Sequence, residues 1–167
     1  MLDVRIRRTK SSDYEDIKEI YDEIGLMHKT LRPDVFTISS ALELSKKNFE
    51  ECVRTHYMIS AVIIVRDVER VVGFLDAVKQ EYPFSKDSSL FIKGIGVREK
   101  YRKHGIGTYL MEKAEAFAKR NGMFVALDVW NINRRALAFL ERLGYVPRII
   151  KLEKKISDLM SNENDKD

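Results

Sequence analysis

Arg102, Lys103, His104, Gly105, Ile106 and Gly107 form the run RKHGIG, with Thr108 directly after it. Three basic or potentially basic side chains precede two glycines spaced one residue apart, and an apolar helical pattern follows at once. The first N–H groups of a helix have no intrahelical partner, and the helix dipole adds partial positive charge there. An anion can accept those N–H groups directly. Gly105 and Gly107 let the backbone curl and let a ligand approach with no Cβ between. The pattern predicts a pyrophosphate on this turn, although the same six residues also suit a plain surface turn opening a helix. Other phosphate-binding designs fit worse. No G-x-x-x-x-G-K-S/T run occurs, and Gly94-Ile95-Gly96 lacks the third glycine of a dinucleotide fingerprint.

Elements must place this turn. VRIR (Val4–Arg7) alternates apolar and charged residues and reads as a first strand. SSDYEDIKEIYDEIG reads as a helix, with Ser12 and Glu15 as a capping box and Gly25 as its end. HKTLRPDVF should be an ordered loop, and Thr37 to Val53 a second helix. YMISAVIIVRD and RVVGFLDAVKQ read as adjacent strands joined by a turn around Asp67–Arg70. YPFSKDSS is a loop, and SLFIKGIGV is a fourth strand carrying two glycines. Ile106 to Arg120 is a helix with Ile106, Leu110, Ala114, Phe117 and Ala118 facing inward, stopped by Asn121-Gly122. MFVALDVW is a fifth strand, and Ile132 to Leu143 a helix ending at Gly144. YVPRIIKLEKKI should supply one or two closing strands. The order predicts an α/β (α+β) mixed sheet with helices on its faces, β-α-α-β-β-β-α-β-α-β(-β), in one domain over residues 1–156. A polar tail over 157–167 is expected to be disordered.

Composition narrows the class. The chain has 167 residues, 44% of them hydrophobic and 34% charged, which fits one globular domain with its own core. No apolar run approaches a membrane span, so no membrane partner is expected. MLDVRIRRTK has no apolar signal core, and a single cysteine excludes an internal disulfide, so a cytoplasmic location is the default. Cys52 has helical spacing with Phe49 and Val53 and reads as a small core residue. The net charge of +4 favours anionic ligands without choosing among them. The three histidines are too scattered to suggest a zinc site, and no metal is read.

GIGVREKYRKHGIGTYLMEKAEAFAKRNG followed by LDVWNINRRALAFLERLGYVP resembles the GNAT acetyltransferase superfamily over about Leu90 to Pro147. In that family R-x-x-G-x-G opens the helix that holds the acetyl-CoA pyrophosphate, here Arg102, Gly105 and Gly107 with Lys103, His104, Ile106 and Thr108 around them. The later N-x-x-A…LGY block, here Asn133, Ala136, Gly144 and Tyr145, lines the pantetheine end. The resemblance implies that the fourth and fifth strands splay, with main-chain contacts from Ile95 and Val97 to the pantetheine. It also implies an N-acetyltransferase that moves an acetyl group from acetyl-CoA to a primary amine, with CoA as product. Glycines in the fourth strand suit a bulge or close backbone approach at that place.

The chemistry needs a neutral amine, a polarised carbonyl and a protonated leaving thiolate. In many GNAT enzymes a tyrosine of the last helix supplies the proton, but ALAFLERLGY places Leu140 there. A carboxylate often found on the fourth strand, near Lys93 and Gly94, is also missing. Asn133 could hold the cofactor or a water, while Asp76 and Asp128 could relay a proton. Asp128 would have a raised pKa if buried, and surface or strand-end carboxylates are the plainer reading of both. His28 could reach the acceptor amine, Trp130 could border its cleft, and His56 reads as structural. The acceptor could be a small amine, a polyamine, or a protein N-terminus or lysine. Without the usual acid, a non-catalytic acetyl-CoA or CoA sensor is the second reading. Nucleic acid is the weakest, because the basic residues flank a glycine turn instead of forming a long stripe. A homodimer could form through a C-terminal edge strand.

Overall fold

The computed structural model describes residues 2–36, 44–81 and 87–154. Two compact units divide the chain after Asn133. The first contains β1 (Arg5–Arg8), α1 (Tyr14–Leu31), α2 (Lys46–Thr55), β2 (Tyr57–Val65), β3 (Val68–Glu81), β4 (Ser88–Val97), α3 (Ile106–Arg120) and β5 (Phe124–Leu127). The strands lie in sequence order in one sheet; β1 to β4 are antiparallel neighbours, and β5 runs parallel to β4. Parallel strands need a crossover, and α3 supplies it. The mixed α/β architecture is thus the one the pattern predicts.

Each face of the sheet is covered. Ile17 and Ile20 of α1 and Phe49 of α2 pack with Met58, Val62, Val71 and Phe74, all nearly inaccessible. Cys52 and Val53 border this cluster, as their spacing predicts. Gly73 and Phe74 point to opposite faces because they are adjacent in a strand. A Cβ on Gly73 would meet Ile106 at 3.3 Å, so α3 covers the other face. Ile106, Leu110, Met111, Ala114 and Ala118 are its buried stripe. Phe117 is only half-buried and stacks on Tyr57 instead, ring centroids 4.0 Å apart.

Helix ends follow local chemistry, with two corrections. Gly25 does not end α1. It is buried in the helix interior, and α1 continues to Leu31, taking in the start of the expected loop. The stop comes at Arg32, whose backbone leaves the helical region before Pro33, because a residue preceding proline disfavours it. At the other end Asp13, not Ser12, is the N-cap. Its carboxylate accepts the Lys10 N–H at 2.8 Å and a bidentate pair from Arg7 at 2.7 and 2.8 Å. Part of the second predicted helix, 37–43, lies outside the described residues, as do 82–86 of the YPFSKDSS loop and the tail over 157–167. α2 itself begins at Lys46, capped by the Ser45 hydroxyl, which accepts the Asn48 N–H. The β2–β3 turn is tighter than expected. Arg66 and Asp67 alone form it, both at positive φ, the geometry that suits right-twisted strands.

α3 ends as predicted. Gly122 is left-handed (φ 64°), and the Met123 N–H bonds Ala118 O at 3.0 Å.

The second unit contains α4 (Arg134–Arg142). Gly144 (φ 88°) closes it, with Tyr145 N–H on Leu140 O and Gly144 N–H on Glu141 O, each 3.0 Å. The expected closing strands do not form: residues 145–154 have no regular structure. Val146, Ile149, Ile150 and Leu152 are all at least 80% exposed, so the alternation there buries nothing within the described residues. The edge strand invoked for a homodimer is therefore missing from them.

Candidate active site

β4 is longer than its neighbour on one side. β5 pairs only Ser89 to Ile92, ending at Ile92 opposite Leu127. Lys93 to Val97 keep β3 on one side and have no β5 on the other. The β4–β5 ladder stops at that point, where the splay between the fourth and fifth strands is expected. A bulge marks the same place. Asp76 faces Gly94 and Ala77 faces Ile92, so Lys93 is the extra residue on β4. Backbone N–H and C=O groups along a parted strand need partners from outside the sheet. Ile95 and Val97 sit half-buried in this segment.

The glycine turn follows. Lys103 (φ 66°) and Gly105 (φ 77°) are both left-handed. A Cβ at Gly105 would meet nothing within 4 Å, so conformation and not space calls for glycine there. Gly105 is the N-cap of α3 and no side chain caps the helix. Its carbonyl accepts the Tyr109 N–H at 2.9 Å, so the helix is regular from its first residue. The N–H groups of Ile106, Gly107 and Thr108 precede that first bond and suit an anion.

α1 holds the turn in place. Arg102 Nε donates to Val97 O at 2.9 Å, and its Nη2 reaches the Glu23 carboxylate at 3.2 Å. Glu23 also accepts the Glu99 N–H at 2.8 Å. Arg98 bridges Val71 O at 3.0 Å, Asp16 Oδ1 at 2.8 Å and Glu19. Arg102 thus acts first as a strut, while Lys103 and His104 are exposed. His104 Nδ1–H donates to Arg102 O at 2.8 Å, which steadies the ring beside the turn.

The three polar candidates separate. Asp128 is exposed and lies just beyond β5, the first residue after the last β4–β5 pair, so the burial considered for it does not occur. Asn133 is buried, and its N–H closes a turn onto Trp130 O at 2.8 Å. Asp76 is only 4% exposed, on the α1–α2 face, where its Oδ1 lies 2.7 Å from His56 Nδ1. His56 caps α2, and Cys52 lies one turn before it. Cys52, His56 and Asp76 together place one donor atom each within 4.8 Å of the others. Sequence spacing did not reveal this group; the Cys52–His56 step of four on a helix was its only local sign.

A second group forms around His28 and Trp130. His28 stacks on Phe36 with centroids 5.2 Å apart, and Phe36 meets Trp130 edge-on at 5.5 Å. The Arg32 guanidinium lies 5.2 Å from the Trp130 ring and pairs with Asp34. Burial pushes the His28 pKa below its ordinary value, so its ring is neutral at neutral pH. In the second unit Leu140 is buried and offers no proton.

The model of the acetyltransferase (GNAT) family matches residues 19–145. Aminoglycoside N(6')-acetyltransferase type 1 of Acinetobacter genomosp. 13 is 32% identical over 96 residues, 54% of this chain. The chain spans 66% of that relative's length. Among solved structures, the BH1408 protein from Bacillus halodurans, as a tetramutant, superposes with a TM-score of 0.78 at 22% identity, over 90% of this chain and 99% of that one. An aminoglycoside N-acetyltransferase in complex with CoA gives 0.63 at 19% identity, over 93% and 97%. No helix among the described residues is long and apolar enough to cross a membrane.

Proposed function

The chain belongs to the GNAT acetyltransferase family, and we propose that it is an acetyl-CoA-dependent N-acetyltransferase acting on a primary amine, as one domain over residues 1–156. One observation carries this reading: β4 parts from β5 at Lys93–Val97 a few residues before an uncapped helix whose N-terminus suits an anion. An extended amide-bearing group fits the parted strand, and a pyrophosphate fits the turn. Acetyl-CoA has both and supplies a thioester open to attack by an amine.

The chain's own residues divide the work. Backbone N–H groups of Ile106, Gly107 and Thr108 receive the pyrophosphate, with Lys103 and His104 adding charge. Main-chain groups of Ile95 and Val97 hold the pantetheine, and β4 N–H groups at the bulge polarise the carbonyl. An acceptor amine must shed a proton, since its solution pKa is near 10.4. Asp128 accepts that proton through water, because it is exposed where the strands part. Asp76 is held by His56 and is not free for that role. Asn133 steadies a water near the leaving sulfur. Trp130, Phe36 and His28 border the acceptor. Aminoglycosides, the substrates that relatives are named for, are the first polyamines to offer.

The test is calorimetric titration with acetyl-CoA of the wild type and Gly107→Glu, followed by an amine panel. Wild-type binding that Gly107→Glu abolishes, with acetylation of a panel amine, supports the enzyme. Binding without turnover of any amine supports a CoA-binding sensor, the reading that Leu140 favours. No wild-type binding removes both.

A further inference from the structure

Cys52, His56 and Asp76 are brought together from one helix and one strand, and we propose that they form a binding site for a borderline-soft divalent cation of the zinc class. Cys52 and His56 lie four residues apart at the end of α2, so their side chains share a face. β3 supplies Asp76 from the opposite side, and the fold closes the three donor atoms to within 4.8 Å of one another. Zinc bonds to sulfur, imidazole nitrogen and carboxylate oxygen are about 2.0–2.3 Å long, so tetrahedral donors stand about 3–4 Å apart. Small side-chain adjustments reach that spacing.

The donor chemistry also matches. Thiolate and carboxylate carry two negative charges between them, and neutral imidazole adds none, which balances a dication. Thiolate with imidazole selects zinc or cobalt over magnesium or calcium. Three protein ligands leave a fourth position for water. On binding, the Cys52 thiol proton passes to solvent and the neutral His56 imidazole carries its one proton on Nε2, which leaves Nδ1 and the Asp76 carboxylate free to ligate; nothing is oxidised or reduced.

The surroundings hold the ligands without filling the site. Tyr21 of α1 packs over the bulge, its hydroxyl 3.4 Å from where a Gly94 Cβ would stand, and Phe74 backs its ring at 4.6 Å. Lys93, the bulge residue, and Glu51 of α2 are the nearby charges felt at the thiol. Lys93 is exposed on a flexible stem and can turn away. A bound cation would pin the end of α2 to β3 beside the bulge.

The experiment is Co2+ titration of the untagged, chelator-treated full chain, followed by displacement with Zn2+. Cys52 is the chain's single thiol, so a thiolate-to-cobalt charge-transfer band reports this site alone. The expected result is a saturable band at a single equivalent, bleached by Zn2+ and absent in Cys52→Ser. His56→Gln and Asp76→Asn should each weaken Co2+ at least about tenfold, with unchanged far-ultraviolet dichroism marking a folded chain. Lys93→Met should bind more tightly. A wild type with no saturable band overturns the proposal, as does unchanged affinity in folded His56→Gln and Asp76→Asn. No acetyl-CoA is present, so the outcome is independent of the acetyltransferase reading.

Discussion

Gly96 of β4 lies so close beneath Ile20 of α1 that a Cβ there would stand 2.7 Å from Ile20 Cγ2. It would also stand 2.6 Å from Ile24 Cδ1 and 3.0 Å from Phe74 Cε1. Space, not backbone conformation, demands glycine at this position. Overpacking a core costs about 1–3 kcal/mol. Gly96→Ala should therefore lower the unfolding free energy by about 1–3 kcal/mol, read as a lower denaturant midpoint at unchanged m-value. It should also weaken acetyl-CoA binding, because α1 carries Glu23, the anchor of Arg102 and Glu99. An unchanged midpoint would show that α1 does not press on β4.

Gly105 presents the opposite case. Nothing obstructs a Cβ, but φ is 77°. Left-handed backbone costs an L residue roughly 1–2 kcal/mol. Gly105→Ala should lose about that much stability, while its acetyl-CoA affinity falls less than that of Gly107→Glu. Calorimetry and chemical denaturation on both variants check the ranking.

Asp13 and Arg7 form a partly buried bidentate pair, with side chains 6% and 16% exposed. Removing one partner of a buried pair costs about 3–5 kcal/mol. Asp13→Ala should fall at the low end of that range, since Arg7 keeps Glu69 at 2.7 Å. Urea unfolding measures it, and a loss within experimental error would count the pair as a surface contact.

His28 offers a pH test. Burial lowers its pKa, so the folded chain resists the proton that the unfolded chain binds near pH 6.5. Stability from this residue is complete above pH 6.5 and declines as pH falls below it. NMR titration should place the His28 ring below 6.5, and His28→Gln should flatten the stability profile between pH 7 and pH 5. A ring titrating at or above 6.5 contradicts the packing against Phe36.

Asp128→Asn tests the assignment of the proton acceptor. General-base removal costs about 10²–10⁴-fold in rate. The variant should lose kcat on that scale while its acetyl-CoA affinity stays unchanged. Equal losses in kcat and affinity would mean that Asp128 supports the strand end instead.

Features that depend on neighbours three to five residues apart were legible directly. α3 runs from Ile106 to Arg120 as its apolar spacing requires, and Asn121-Gly122 and Gly144 stop their helices with left-handed glycines. The turn at Gly105 also follows from local chemistry, because a glycine before an apolar helical pattern is a local signal. Gly25 misled because a helix interior tolerates glycine when packing repays it, and only the tertiary contacts of α1 reveal that. The alternation in YVPRIIKLEKKI misled for the converse reason: a strand forms only where another edge accepts it, and residues 145–154 find none among the described residues.

By itself, then, the sequence determined the order of elements as far as α4, the mixed sheet and the left-handed glycine that opens α3, since periodicity, caps and left-handed glycines are written in adjacent residues. Tertiary structure alone decided that Lys93 is the bulge, that β5 ends opposite Ile92, and that Cys52, His56 and Asp76 meet. Each of these is a matter of register or juxtaposition between segments far apart in the chain. Register is set by which faces bury together, and no local spacing encodes it.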